Sequence, residues 1–191
     1  MEAFIILLLL LILNGIFAMY EIALVSARRT GLEEEAKAGR MGAKTALALL
    51  EEPEKIFSGI QVGITLVGIV SGAYAGLTLS TGAAGLLIEA GFPAECAHTL
   101  AVVVVVAAVT CLTLIIGELV PKNIALSNAQ AVAVFLSPPM RLFCLATYPV
   151  VWFLSSSTKL ILKLLGIQNR REMPLTEEEL RMILKKGSEH G

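Results

Sequence analysis

Two carboxylates interrupt otherwise apolar sequence: Glu21 in "FAMYEIALVS" (residues 17 to 26) and Glu118 in "LTLIIGELVPKNIAL" (residues 112 to 126). A charged side chain at membrane depth is costly, so each is a candidate functional group. Glu118 follows Gly117 and precedes Pro121 and Lys122. Proline lacks an N–H, and its ring clashes with the carbonyl one turn earlier, here that of Gly117. A freed carbonyl beside a carboxylate puts two hard oxygen donors in one place. Hydroxyls that could complete a ligand set are Ser71 and Ser26, with Thr65 and Thr113 as weaker candidates. Such oxygen donors suit Mg²⁺, Ca²⁺ or Na⁺ rather than zinc or copper. A structural alternative stands beside each assignment. Glu118 could pair with Lys122 one turn on, and Glu21 could anchor two helices by hydrogen bonding.

No competing chemistry is written in the chain. His98 and His190 are its histidines, and no GxSxG, HExxH, P-loop or DxD motif occurs. Ser155, Ser156 and Ser157 have no nearby base, so an enzyme is not expected. Cys96, Cys111 and Cys144 lie in or beside apolar runs without CxxC spacing and read as small buried hydrophobes. Nucleic acid is not an expected partner.

The elements that must carry these residues are membrane helices. Of 191 residues, 56% are hydrophobic and 16% charged, against about 25% charged in soluble domains. Expected spans cover about residues 3–27, 56–80 and 97–119, each long enough for a hydrocarbon core of about 30 Å. The first is no cleaved signal: its start is acidic (Glu2) and its basic pair, Arg28 and Arg29, follows the apolar run. Gly59, Gly63, Gly68, Gly72 and Gly76 line the second span. That stripe suits close helix packing or dimerisation, or a helix that unwinds to offer carbonyls.

Basic residues orient the chain. Arg28, Arg29, Lys37, Arg40, Lys44 and Lys55 precede or enter the second span, and residues 81–96 hold no Lys or Arg. The positive-inside rule then puts the amino terminus outside and the carboxyl terminus in the cytoplasm. The run 124–137 is too short to span and stops at Pro138 and Pro139. The expectation is an all-α membrane protein, with three transmembrane helices, a re-entrant or half-inserted region over 124–165, and juxtamembrane helices. Residues 1–165 form the transmembrane domain, and 166–191 a cytosolic segment. In its "LTEEELRMIL", Thr176 and Glu179 have helix-capping spacing, which predicts a soluble domain further on.

"IIGELVPKNIAL" resembles the G-E-[LI]-x-P-K signature of the CorC/CNNM (cyclin M) magnesium transporter family. "FAMYEIALVSAR" and "IQVGITLVGIVSGAYAG" are similar to segments of that family's first and second helices. "LTEEELRMIL" resembles the lead-in to the family's CBS-domain pair. The resemblance covers essentially the whole chain, as a bacterial inner-membrane member cut before those domains. It implies a homodimer in lipid that exports Mg²⁺, with Na⁺ exchange as coupling and ATP regulation at the absent CBS domains. Carried over by position, Glu118 is the best-matched metal ligand, with Ser71, Ser26, Gly117 and Glu21 completing the candidate set. The chain departs from the pattern at Ile64 and Gly68, where many relatives have Asn, and at Ala18, where animal relatives have Ser. A second reading is a Mg²⁺-sensing regulatory or scaffold protein that transports nothing.

Overall fold

The computed structural model describes residues 2–166, all of whose regular elements are helical. The helices are α1 (Glu2–Ser26), α2 (Arg29–Lys37), α3 (Met41–Leu50), α4 (Pro53–Thr78), α5 (Ser80–Glu89), α6 (Ala94–Leu114), α7 (Val120–Ser127) and α8 (Ala129–Leu164). A single π turn, Ile115–Leu119, joins α6 to α7. Four helical stretches are long and apolar enough to cross a membrane: Glu2–Ser26, Pro53–Glu89, Ala94–Ser127 and Ala129–Leu164. The chain divides into two units, Met1–Val151 and Trp152–Gly191. The expected cytosolic segment over 166–191, with its capping signal, lies outside the described residues except for Gly166.

One cluster organises the first unit. Phe17, Tyr20 and Leu24 of α1 pack with Ile56, Ile60 and Val67 of α4, and with Ala133 and Met140 of α8. Phe17 and Phe143 rings meet at 4.6 Å between centroids, tilted by 54°, a favoured aromatic geometry. A smaller cluster joins Leu7, Ala75 and Val109. Outside these contacts the helices show apolar side chains such as Leu8, Leu66, Ile69 and Val103. Exposed apolar surface of that extent suits lipid, not water.

Two expectations need correction. The third apolar run does not end near Glu118: helical backbone continues from Ala94 to Ser127 through the π turn. Nor does the chain stop at Pro138 and Pro139, which lie inside the 36-residue α8. The break falls instead at Asn128, whose φ of −146° and ψ of 48° leave the helical region. Proline at 138 still removes the donor for the Val134 carbonyl. That carbonyl packs against Gly42 of α3, where even a methyl group would collide with it. Tertiary packing therefore covers the group the proline frees, and the helix persists. Gly42→Leu is expected to lower the thermal unfolding temperature in detergent by several degrees, an overpacking cost of about 1–3 kcal/mol.

The part of α8 within the first unit touches a limited set of neighbours. Gln130 faces Gly31 of α2, and Val134 faces Gly42. The Tyr20 hydroxyl and Ser137 Oγ are 3.0 Å apart, and Ser137 donates to the Ala133 carbonyl at 2.6 Å. Further along, Phe143 lies by Gly63, and Cys144 by Gly59.

Candidate cation site

The site is built where α1 meets the π turn. In a continuous α-helix the Pro121 ring would strike the carbonyl of Gly117. The π turn relieves this by widening the spiral, with the Val120 N–H reaching the Ile115 carbonyl five residues back. π turns of this kind leave carbonyls free of their usual partners and often mark functional positions. Here the Gly117 carbonyl accepts a hydrogen bond from Asn14 Nδ2 of α1 at 3.0 Å. Gly15 permits the approach: a Cβ there would lie 3.0 Å from Pro121 Cγ and 3.6 Å from the Ile116 carbonyl. Gly117 is equally constrained, since its Cβ would lie 3.1 Å from Asn14 Nδ2.

Asn14 is 2% exposed, and its Oδ1 is buried without a hydrogen-bond partner among the described residues. Asn14 has the properties of a site residue, although it is not among the candidates drawn from the sequence. The signal was present, because an intramembrane amide is costly for the same reason as an intramembrane carboxylate.

Glu21 and Glu118 meet through a shared cation. Lys122 Nζ is 2.8 Å from Glu118 Oε1 and 3.2 Å from Glu21 Oε2. All three side chains are about one-third exposed or less, at 33%, 27% and 26% for Glu118, Glu21 and Lys122. The sequence alternatives for the two glutamates thus merge: both pair with Lys122. Two carboxylates around one ammonium carry a net formal charge of −1, and partial burial weakens solvent screening of that charge.

The other sequence candidates lie differently. Ser71 of α4 is 1% exposed, and its hydroxyl donates to the Val67 carbonyl at 2.7 Å within its own helix. Thr113 donates to the Val109 carbonyl at 2.8 Å in the same manner. Ser26 is exposed at the end of α1, and Thr65 is exposed on α4. The structure therefore joins Glu21 and Glu118 through Lys122, pairs the Gly117 carbonyl with Asn14 one residue before Glu118, and gives Ser71 and Ser26 no bond to either group. Among the described residues no three His, Cys, Asp or Glu side chains cluster. Any cation held here would rely on amide and carbonyl oxygens beside the two carboxylates.

Comparison with known proteins adds the decisive observation: the family model described as "Cyclin M transmembrane N-terminal domain" matches residues 4–191. The chain belongs to the CNNM family. A UPF0053 protein of Synechocystis is 42% identical over 182 residues, covering 95% of this chain and 41% of that protein. UPF0053 protein YhdT of Bacillus subtilis is 28% identical over 184 residues, covering 95% and 40%. The polyamine export protein of Haemophilus influenzae is 28% identical over 185 residues, covering 95% and 42%. The chain thus spans about two-fifths of the length of these relatives. Membership in this family makes it a multi-pass membrane protein, with the carboxylates on two of its apolar helices.

Proposed function

We propose that this CNNM chain is the membrane-embedded part of a cation exporter whose cargo is Mg²⁺. The observation that carries the reading is the pairing of Glu21 and Glu118 about Lys122, with Glu118 in the π turn whose Gly117 carbonyl is held by Asn14, an amide with its own oxygen buried and unpartnered among the described residues. Mg²⁺ is a hard ion that binds through one or two carboxylates while keeping several waters. In this reading the ion displaces Lys122 from the carboxylates, which neutralise its two charges. Carbonyl and amide oxygens replace part of its hydration shell. Lys122 returns when the ion leaves, so the empty site is never a bare pair of negative charges in a low dielectric. Na⁺ entering in exchange is compatible with the same donors.

Three crossings fit this function: α1, the α4–α5 stretch, and the α6–α7 stretch. The α8 segment then lies along the cytoplasmic side. Its contacts with α2 and α3, which carry the basic residues following α1, support that placement. The amino terminus is outside, the carboxyl terminus cytoplasmic, and the bilayer is the bacterial inner membrane. A homodimer would use the outer face of α4. There Gly68 and Gly72 have open space where a Cβ would point, beside exposed Leu66, Ile69 and Val70. Regulation by ATP at CBS domains is what the family resemblance implies. No catalytic role is assigned.

Lys122 favours a second reading. Its ammonium already sits between both carboxylates, so the site accepts an amine as readily as a metal ion. One relative bears the name polyamine export protein. An organic polycation is therefore the alternative cargo, and a Mg²⁺ sensor without transport the non-transporting one. Full-length protein in liposomes loaded with Mg²⁺ or spermidine separates the three. Mg²⁺ efflux that spermidine does not outcompete is the expected result. Spermidine efflux without Mg²⁺ efflux would transfer the assignment to amines, and Mg²⁺ binding with neither flux would leave a sensor.

A further inference from the structure

Away from the carboxylates, a cavity of about 230 Å³ opens where the end of α3 and the start of α4 meet α8. Its wall includes Leu49, Glu52, Lys55, Arg141, Leu145 and Tyr148. Arg141, Leu145 and Tyr148 fall on one face of α8 by their four- and three-residue spacing. Lys55 Nζ pairs with Glu52 Oε1 at 2.8 Å and lies 5.9 Å from the centre of the Tyr148 ring. Arg141 has no carboxylate partner among the described residues and is exposed on α8. Among the described residues the cavity therefore carries one uncompensated positive charge: Lys55 offsets Glu52, and Arg141 remains.

We propose that this cavity binds the phosphate headgroup of an anionic phospholipid, with Arg141 as the principal contact and Lys55 as the second. Charge complementarity selects an anion, and guanidinium geometry matches two phosphate oxygens. The walls select a lipid over a soluble anion. Leu49, Leu145 and the body of Tyr148 are apolar, and Leu142 beside them is 71% exposed. That surface would offer acyl chains apolar contacts next to the headgroup. Tyr148 has the amphipathic character that places aromatic side chains at headgroup level. Basic pockets between helices on the cytoplasmic side recognise anionic headgroups by the same physics. A bound lipid would bridge α4 to α8, holding the helix break at Asn128 and the α3–α4 corner in one arrangement.

The test uses the full-length protein, purified in mild detergent and offered phosphatidylglycerol or phosphatidylcholine, with retained lipid counted by native mass spectrometry. The expected result is preferential retention of phosphatidylglycerol, reduced at least fivefold in the Lys55→Gln/Arg141→Gln double variant. Lys44→Gln, an exposed basic change on α3 outside the cavity, should leave retention unchanged. Equal retention of the two lipids, or an equal loss in Lys44→Gln, would overturn the proposal. Displacement of the lipid by soluble glycerol phosphate would assign the cavity to a free anion instead. A second readout needs no change to the basic residues: Cys144 lines the cavity and is partly buried. In a Cys96→Ser/Cys111→Ser background, phosphatidylglycerol should slow maleimide labelling of Cys144 several-fold and phosphatidylcholine should not. Labelling indifferent to both lipids would contradict the site.

Discussion

Replacing Glu118 with Gln should abolish the stabilisation that Mg²⁺ confers on the full-length protein. The side chain keeps its size, and its oxygen can still accept from Lys122, whose ammonium lies 2.8 Å away. What disappears is one of the two negative charges that balance a divalent ion. An ion that binds the native state at one hundred times its Kd stabilises it by about 2.7 kcal/mol. For a domain of this size that corresponds to a shift of roughly 5–10 °C in Tm, and the variant should show almost none of it. Lys122→Met should act in the opposite sense. Removing the resident ammonium leaves Glu21 and Glu118 facing each other, which lowers stability without ions and enlarges the ion-dependent shift. Thermal melts with and without Mg²⁺ measure both. If Glu118→Gln retains the full shift, Glu118 is only a structural partner of Lys122.

The second large effect is expected at Asn14. Asn14→Leu keeps the branched heavy-atom skeleton in a bulkier side chain but removes the donor to the Gly117 carbonyl, which Pro121 has already deprived of its helical partner. A buried carbonyl left unpaired costs about 1–3 kcal/mol, although hydrogen bonds between membrane helices average nearer 0.6 kcal/mol. The distinctive expectation is therefore functional. Ion-dependent stabilisation should fall together with the apo Tm, because Asn14 Oδ1 and the Gly117 carbonyl both belong to the proposed donor set. Gly15→Ala is the comparison: its methyl would press on Pro121 at 3.0 Å, disturbing packing while leaving both oxygens in place. A variant at Asn14 that loses stability but keeps the ion response would confine that residue to a structural role.

Much of this site was legible in the sequence because lipid makes polarity conspicuous. Glu21, Glu118, Gly117 and Pro121 stand out against apolar neighbours, and the family signature around Glu118 points to the same place. The pairing of both glutamates with one lysine was not legible, since it depends on how α1 and α7 sit side by side. Asn14 was missed because one amide in a leucine-rich run gives no spacing to recognise. Its importance rests on a contact 103 residues away along the chain. The prolines misled for a local reason. Reading Pro138 and Pro139 as a stop assumes that a freed carbonyl must face lipid, whereas the Val134 carbonyl packs on Gly42. The π turn at Ile115–Leu119 is the same solution at Pro121, with Asn14 in place of a glycine backbone. At Pro121 a neighbouring helix supplies a donor, at Pro138 it only covers the freed carbonyl, and no local propensity encodes either neighbour.

The central claim is that cations cross the membrane through the Glu21–Glu118 site. Mg²⁺ flux through liposomes containing the full-length protein, compared with liposomes containing Glu118→Gln, tests it most directly. Mg²⁺ efflux from the first and only background leak from the second is the expected result, with both proteins inserted in equal amounts. Equal efflux from the two would contradict it.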